Sequence, residues 1–287
     1  MNRIKHILPA LFALIITFQV ANAQEEWRPG KYMQQAVDHV REKAELATSF
    51  GDYGYSEGFC FLGAYIRNGK SVTWRTTLPT GKQLLFIGGG DNDATDVDIK
   101  IYDDNGKLLA EDNDADNSPV LKFRSNTSQT YKIELRLYKS ESNGSFCCLS
   151  FLEEDAPSLP MKNMHEAMKN VIDFGIKVND EFDVRFHDLD NQWCLFGLNQ
   201  ESGAYNSCYN LSLGTESHIF MAAGDDRLKD SDLYLLDADD NVLEKDVSDD
   251  AIPAFKYKTD ADLRYKLKLK NVKSEGNSMT IMLILTQ

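Results

Sequence analysis

The chain has 287 residues, 42% of them apolar, and carries 45 acidic against 31 basic side chains for a formal charge of −14. That apolar content excludes a disordered chain. The acidic balance opposes binding to nucleic acid or to anionic lipid, either of which it would repel at long range.

The chain starts "MNRIKHILPALFALIITFQVANA". Arg3 and Lys5 precede an apolar run from Ile7 to Val20 and the small residues Ala21-Asn22-Ala23, the build of a signal peptide over residues 1–23. The run is too short for a membrane span, and no later segment is long and apolar enough to be one. The expectation is a bacterial-style exported protein, periplasmic or extracellular, that starts at Gln24. No Cys follows the cleavage position, which argues against a lipid anchor.

Displacing the chain against itself by 134 residues lays Cys60 on Cys194 and "FIGGGDNDATDVDIKIYDDNGKLLAEDNDADNSPVLKF" on "FMAAGDDRLKDSDLYLLDADDNVLEKDVSDDAIPAFKY". The match then runs to the end without a gap. Such self-similarity is a tandem duplication. Residues 24–154 form the first repeat, 155–160 a charged, Pro-containing linker, and 161–287 the second repeat.

Each repeat opens with a helical pattern: Met33, Val37, Val40, Ala44 and Ala47 in the first, and Met161, Met164, Met168, Val171, Gly175 and Val178 in the second, behind Pro160. These stripes are read as helices that pack on their own repeats.

The rest alternates with period two. Val97, Ile99 and Ile101 interleave with Asp96, Asp98 and Lys100, and Tyr131, Ile133, Leu135 and Leu137 interleave with polar residues. The second repeat has Leu233 and Leu235, then Tyr265, Leu267 and Leu269. Asn68-Gly69, Asp104-Asn105-Gly106 and Asn143-Gly144 supply turns. The predicted fold is mainly β: two tandem antiparallel β-sandwiches of jelly-roll type, each preceded by an amphipathic α-helix.

The stretch "DVDIKIYDDNGKLLAED", with Pro119 and the later "YKIELRLY", resembles the bacterial pre-peptidase C-terminal domain. The second repeat fits less well, with Asp240 in place of Gly106. The resemblance covers roughly residues 70–151 and 204–285 and leaves both helices outside it. It implies a small non-catalytic sandwich of a kind that is usually appended to secreted enzymes and sometimes binds calcium or matrix polymers. No peptidase is attached here.

Acidic residues cluster in corresponding places: Asp91, Asp96, Asp98 and Asp112 in the first repeat, and Asp225, Asp230, Asp232 and Asp246 in the second. Like charges this close favour a hard cation with oxygen ligands, and calcium is the candidate. The spacing matches no established calcium loop: Asp112-x-Asp114-x-Asp116 lacks the central Gly and closing Glu of an EF-hand, and "GGGDND" occurs once and out of pattern. The alternative is a set of solvated loops that discourage aggregation at sheet edges. The strand phase turns Asp96 and Asp98 outward, where nothing would raise a carboxyl pKa for acid–base work.

His39, His165, His187 and His218 form no zinc motif, and no nucleophile elbow or phosphate loop is present. The expectation is therefore not an enzyme. Among the cysteines, export suggests disulfides Cys60–Cys147 and Cys194–Cys208, with Cys147 matched to Ile281 in the core phase and Cys148 free in the opposite phase.

Trp74, Tyr102 and Tyr138, with Tyr205, Tyr209 and Tyr234, are candidates for an outer aromatic face that stacks on sugar rings, although Trp74 aligns with Cys208 in a position that suits a core. Two linked copies would gain avidity for a repeating polymer. The resulting expectation is a secreted, non-catalytic binding or adhesion protein whose partner is a polysaccharide, matrix polymer or surface protein. The alternatives are a calcium-stabilised envelope protein without a specific ligand and, more remotely, a carboxylate-dependent hydrolase.

Overall fold

The computed structural model describes residues 29–50, 52–156, 159–187, 192–260 and 263–287. The signal-peptide expectation lies outside these residues. The first repeat contains α1 (Pro29–Phe50) and strands β1 (Tyr53–Gly54), β2 (Gly58–Arg67), β3 (Ser71–Thr77), β4 (Gln83–Gly90), β5 (Ala94–Tyr102), β6 (Leu108–Asp112), β7 (Val120–Arg124), β8 (Thr130–Ser140) and β9 (Gly144–Glu154). The second contains α2 (Met161–Phe182) and β10 (Arg185–Phe186), β11 (Leu195–Gln200), β12 (Tyr205–Leu211), β13 (Ser217–Gly224), β14 (Leu228–Leu236), β15 (Val242–Asp246), β16 (Ala254–Lys258), β17 (Tyr265–Ser274) and β18 (Ser278–Thr286).

All strand pairings between these elements are antiparallel, and each repeat is a sandwich with an outer four-stranded sheet. The outer sheets run β3-β8-β5-β6 and β12-β17-β14-β15. The inner sheets are not separate. One ten-stranded sheet runs β16-β13-β18-β11-β2-β9-β4-β7, with β1 on β9 and β10 on β18.

The seam between repeats is the β2–β11 pair. Leu62 lies opposite Phe196, flanked by Gly63 opposite Leu195 and Phe61 opposite Gly197. Leu62 and Phe196 correspond in the duplication, so this pair marks a pseudo-twofold axis, like the self-complementary interface of a symmetric dimer within one chain. The two glycines leave room for rings: a Cβ on Gly63 would meet Phe146 at 2.9 Å, and one on Gly197 would meet Phe61 Cβ at 2.8 Å.

The helices lie on the face of the inner sheet away from the outer sheets. α1 packs on β4 and β9, α2 packs on β13 and β18, and the helices touch each other. Met33, Val37, Val40 and Ala44, and likewise Met164, Met168 and Val171, are buried. Burying each large side chain stabilises by about 1.5–3 kcal/mol. The glycine run in "IGGGD" includes part of the helix seat, since a Cβ on Gly89 would come 2.9 Å from Val40 Cγ2 and 3.2 Å from the Ala36 carbonyl. The second repeat keeps small side chains there with Ala222 and Ala223.

Covering both faces changes how strands read. Strand β18 is buried at every position, whereas β17 alternates buried with half-buried along most of its length. An inner strand therefore carries a continuous apolar run and an outer strand a periodic one.

The gapless alignment also needs correction at its end. Gly90 pairs with Cys147, but its counterpart Gly224 pairs with Thr280. The last hairpin of the second repeat is one residue shorter, so Cys147 corresponds to Thr280 and Cys148 to Ile281.

Candidate functional site

The acidic residues were expected to converge, and they separate into two kinds. Asp91 and Asp225 are 2% exposed and tie the β4–β5 and β13–β14 turns to the last strand of each sandwich. Asp91 accepts from Phe146 N at 2.7 Å and Asp93 N at 3.1 Å. Asp225 accepts from Asn163 Nδ2 at 2.6 Å, Ser278 Oγ at 2.8 Å, and the amides of Arg227 and Met279 at 3.1 Å. Asp112 accepts from Val120 N at 2.8 Å and Asp246 from Ala254 N at 3.0 Å, each closing the loop to the next strand. These four carboxylates are bound to the chain's own donors.

Asp96, Asp98, Asp230 and Asp232 are different. Each repeat has register irregularities around Asp96 or Asp230, and each of these two residues has a buried Oδ1 without a hydrogen-bond partner. Asp98 lies opposite Arg136 and is only 5% exposed, so its outward phase does not leave it solvated. Burial, then the neighbouring Asp96 charge, raises the Asp98 carboxyl above its ordinary value. Burial, then Asp116, does the same to Asp96. The structure thus corrects the expectation that nothing raises a pKa there. Asp232 accepts from the Tyr234 hydroxyl at 2.7 Å. Among the described residues no three His, Cys, Asp or Glu side chains are grouped to hold a metal ion.

The disulfide expectation is overturned: all five cysteines are buried and none is in a disulfide. Cys147 lies opposite Ala64 on β2, four residues along from Cys60, a separation of about 13 Å that no disulfide spans. Cys194 precedes β11 of the inner sheet while Cys208 sits on β12 of the outer one, so no hairpin joins them. Cys147 and Cys148 are both fully buried because β9 has a covered surface on either side. Burial pushes the Cys60 thiol up to about 12, far from a reactive thiolate.

Three of the histidines are internal ties, whereas His165 lies exposed on α2. His218 Nδ1 lies 3.1 Å and His187 Nδ1 3.3 Å from the Thr286 hydroxyl. His39 Nδ1 lies 2.6 Å from the Gly90 carbonyl, joining α1 to β4.

The aromatic candidates divide by repeat. Trp74 faces inward and packs 5.2 Å from Phe59 and 6.3 Å from Phe196. Tyr102 is half-buried beneath Lys132, whose Nζ sits 3.8 Å from the ring centroid. Three ion pairs lie on the first outer face: Lys100 with Glu111, Lys132 with Glu134, and Arg75 with Asp104. Tyr138 stands exposed at its margin, with Arg136 at 5.0 Å.

The second outer face is different. Along β17, Tyr265, Leu267 and Leu269 point in, and Lys266, Lys268 and Lys270 point out. On β12, Tyr205 lies opposite Lys270, Tyr209 is outward in the same phase, and a bulge with Asn210 at φ 59° then turns Leu211 in. Tyr205 and Tyr209 are 62% and 64% exposed. Lys268 Nζ lies 4.4 Å from the Tyr205 ring and 5.5 Å from that of Tyr234, and Lys266 lies 4.8 Å from Tyr209. Asp240 bonds Lys266 at 2.7 Å. Burial and then the Asp232 carboxylate push the Tyr234 phenol up to about 12.

This forms a ladder in which lysines of β17 alternate with tyrosine rings of the neighbouring strands, on a molecule of net acidic charge. The tyrosines were candidates from sequence, but the lysine row was not. Its signal is the alternation in "YKLKLKN", whose polar phase is lysine at Lys266, Lys268 and Lys270.

No family model matches the chain, and no curated protein matches it. Solved structures do. The M60 catalytic domain with CBM51-1 and CBM51-2 domains of Clostridium perfringens ZmpB matches at 9% identity and TM-score 0.27, over 81% of this chain and 36% of that one. The CBM22-1–CBM22-2 tandem of Paenibacillus barcinonensis Xyn10C matches at 6% identity and TM-score 0.22, over 82% and 99% of the two chains. The PBSX exported protein XepA matches at 9% identity and TM-score 0.24, over 78% and 84%. Likeness at this level carries no ligand over to this chain.

Proposed function

We propose that the chain is an exported, non-catalytic binding protein that holds an acidic polysaccharide on the outer face of its second sandwich. One observation carries this reading: Tyr205 and Tyr209 stand exposed on one strand, with Lys268 and Lys270 beside them on the next. Exposed rings on a sheet offer apolar faces for sugar rings at little entropic cost, since a tyrosine has only two side-chain torsions. The ammonium groups supply charge complementarity for uronate or sulfate. Four residues of strand separate the two rings, about 13 Å, so the face addresses several sugars of a chain rather than one. The N-terminal signal-like pattern supports export.

Affinity electrophoresis in gels containing alginate, heparin or neutral glucan tests the proposal. Retardation is expected in the acidic gels and should weaken as salt rises. Tyr205→Ala with Tyr209→Ala should abolish it while the melting temperature holds, because both rings are exposed. Undiminished retardation of that double variant would overturn the assignment.

A further inference from the structure

The first sandwich contains a cavity that the polysaccharide face does not touch. It has a volume of ≈ 300 Å³ and opens where β2 begins and β3 and β9 end, a size at the lower end for small-molecule sites. Its walls include Phe59, Trp74, Phe86 and Phe151. Phe59 and Trp74 meet edge to face at 5.2 Å, as do Phe86 and Phe151 at 5.5 Å. The mouth carries two carboxylates, Glu57 and Glu153.

Glu57 accepts from Asn277 Nδ2 at 3.3 Å, and Glu153 accepts from the Ser56 hydroxyl. Among the described residues neither forms an ion pair with Lys or Arg. The mouth is therefore not neutralised by a cationic side chain, and the interior is lined by four aromatic rings, whose faces are the negative pole of the aromatic quadrupole.

Aromatic walls and an anionic mouth select for the same property. A compact cation with an apolar coat gains cation–π attraction from the rings and Coulomb attraction from the mouth, and it leaves no hydrogen-bond donor unsatisfied in the apolar interior. The geometry points to a small-molecule site in this cavity that takes a compact quaternary ammonium cation. The same mouth disfavours a ligand that carries phosphate or carboxylate next to its cation, so the free cation is selected over a zwitterionic lipid headgroup.

The second repeat lacks the site. Trp74 lies opposite Ile133 and its counterpart Cys208 lies opposite Leu267, so the indole wall is missing. Leu84 lies opposite Glu153, and its counterpart His218 lies opposite Thr286, so the mouth carboxylate is missing as well. The hydroxyl of Thr286 is instead tied to His218 and His187. Among the described residues the second repeat therefore does not reproduce the site, and one site per chain, independent of the polysaccharide face, is expected.

Titration calorimetry on the full chain tests this with three probes: choline, its uncharged carbon isostere 3,3-dimethylbutan-1-ol, and phosphocholine. The expected result is one choline per chain, with the isostere at least about tenfold weaker for want of cation–π attraction, and phosphocholine weaker than choline. Glu153→Gln, and the exposed Glu57→Gln if the first variant folds poorly, should weaken choline and leave the isostere unchanged. An isostere that binds as tightly as choline, no binding of choline, or two choline sites per chain would each overturn the inference. So would tighter binding of phosphocholine, or choline affinity unmoved by both Gln variants.

Discussion

Replacing Asp225 with asparagine probes whether the acidic residues hold the fold or a metal. The carboxylate is almost wholly buried and receives four hydrogen bonds, two on each oxygen, from Asn163, Met279, Ser278 and Arg227. Asparagine keeps the shape but turns one acceptor into a donor that faces donors. Hydrogen bonds to a charged group contribute about 1.5–3 kcal/mol each, and a buried group left unpaired costs about 1–3 kcal/mol. Because the four bonds share one group and are not additive, the expected net loss is about 2–4 kcal/mol. Urea unfolding would show this as a lower midpoint at unchanged slope. Wild-type protein should unfold at the same midpoint in EDTA as in millimolar calcium. Two outcomes would refute the reasoning: an Asp225→Asn midpoint within error of wild type, or a wild-type loss in EDTA as large as the variant's.

Other consequences follow from the same structure. The continuous inner sheet should make the two repeats unfold together, so calorimetry should record one transition with matching calorimetric and van't Hoff enthalpies. Phe196→Ala, at the centre of the seam and 1% exposed, should cost about 3–5 kcal/mol, measured by urea unfolding. Gly89→Val should cost about 1–3 kcal/mol by overpacking the α1 seat, seen as a lower melting temperature. Burial lowers the His218 pKa below its ordinary 6.5, so the folded state binds its proton less readily than the unfolded state. Its contribution to stability is complete above about pH 6.5 and is lost as pH falls through the folded value. A pH series of urea midpoints should show this, and His218→Asn should flatten the dependence. Asp98 has the opposite sign: its raised pKa favours the fold at low pH, and that contribution is lost as pH rises through the folded value. Asp98→Asn should therefore raise the midpoint at pH 7.

The mainly β fold, the two helices and the outer strands were legible in the sequence. Tyr131, Ile133, Leu135 and Leu137 are all buried in β8 as their period-two spacing required, because one face of that sheet meets water and the alternation survives. The helix stripes were legible for the same reason, with Met33, Val37 and Val40 on the buried side of α1 and solvent on the other. Of the aromatic residues that the sequence offers for an outer face, Tyr138, Tyr205 and Tyr209 stand exposed.

The rest depends on contacts between strands distant in the chain. Phase cannot separate Cys147 from Cys148 when helix and outer sheet cover the two faces of β9. The pairing that joins the repeats is made by backbone groups, which every strand offers alike, and it links residues more than a hundred positions apart. No local pattern names a strand's partner. The lysine–tyrosine ladder and the aromatic cavity also depend on pairings between separate strands. Side chains dictate which face of a segment leaves water, while the surfaces and cavities that result exist only once those segments are placed side by side.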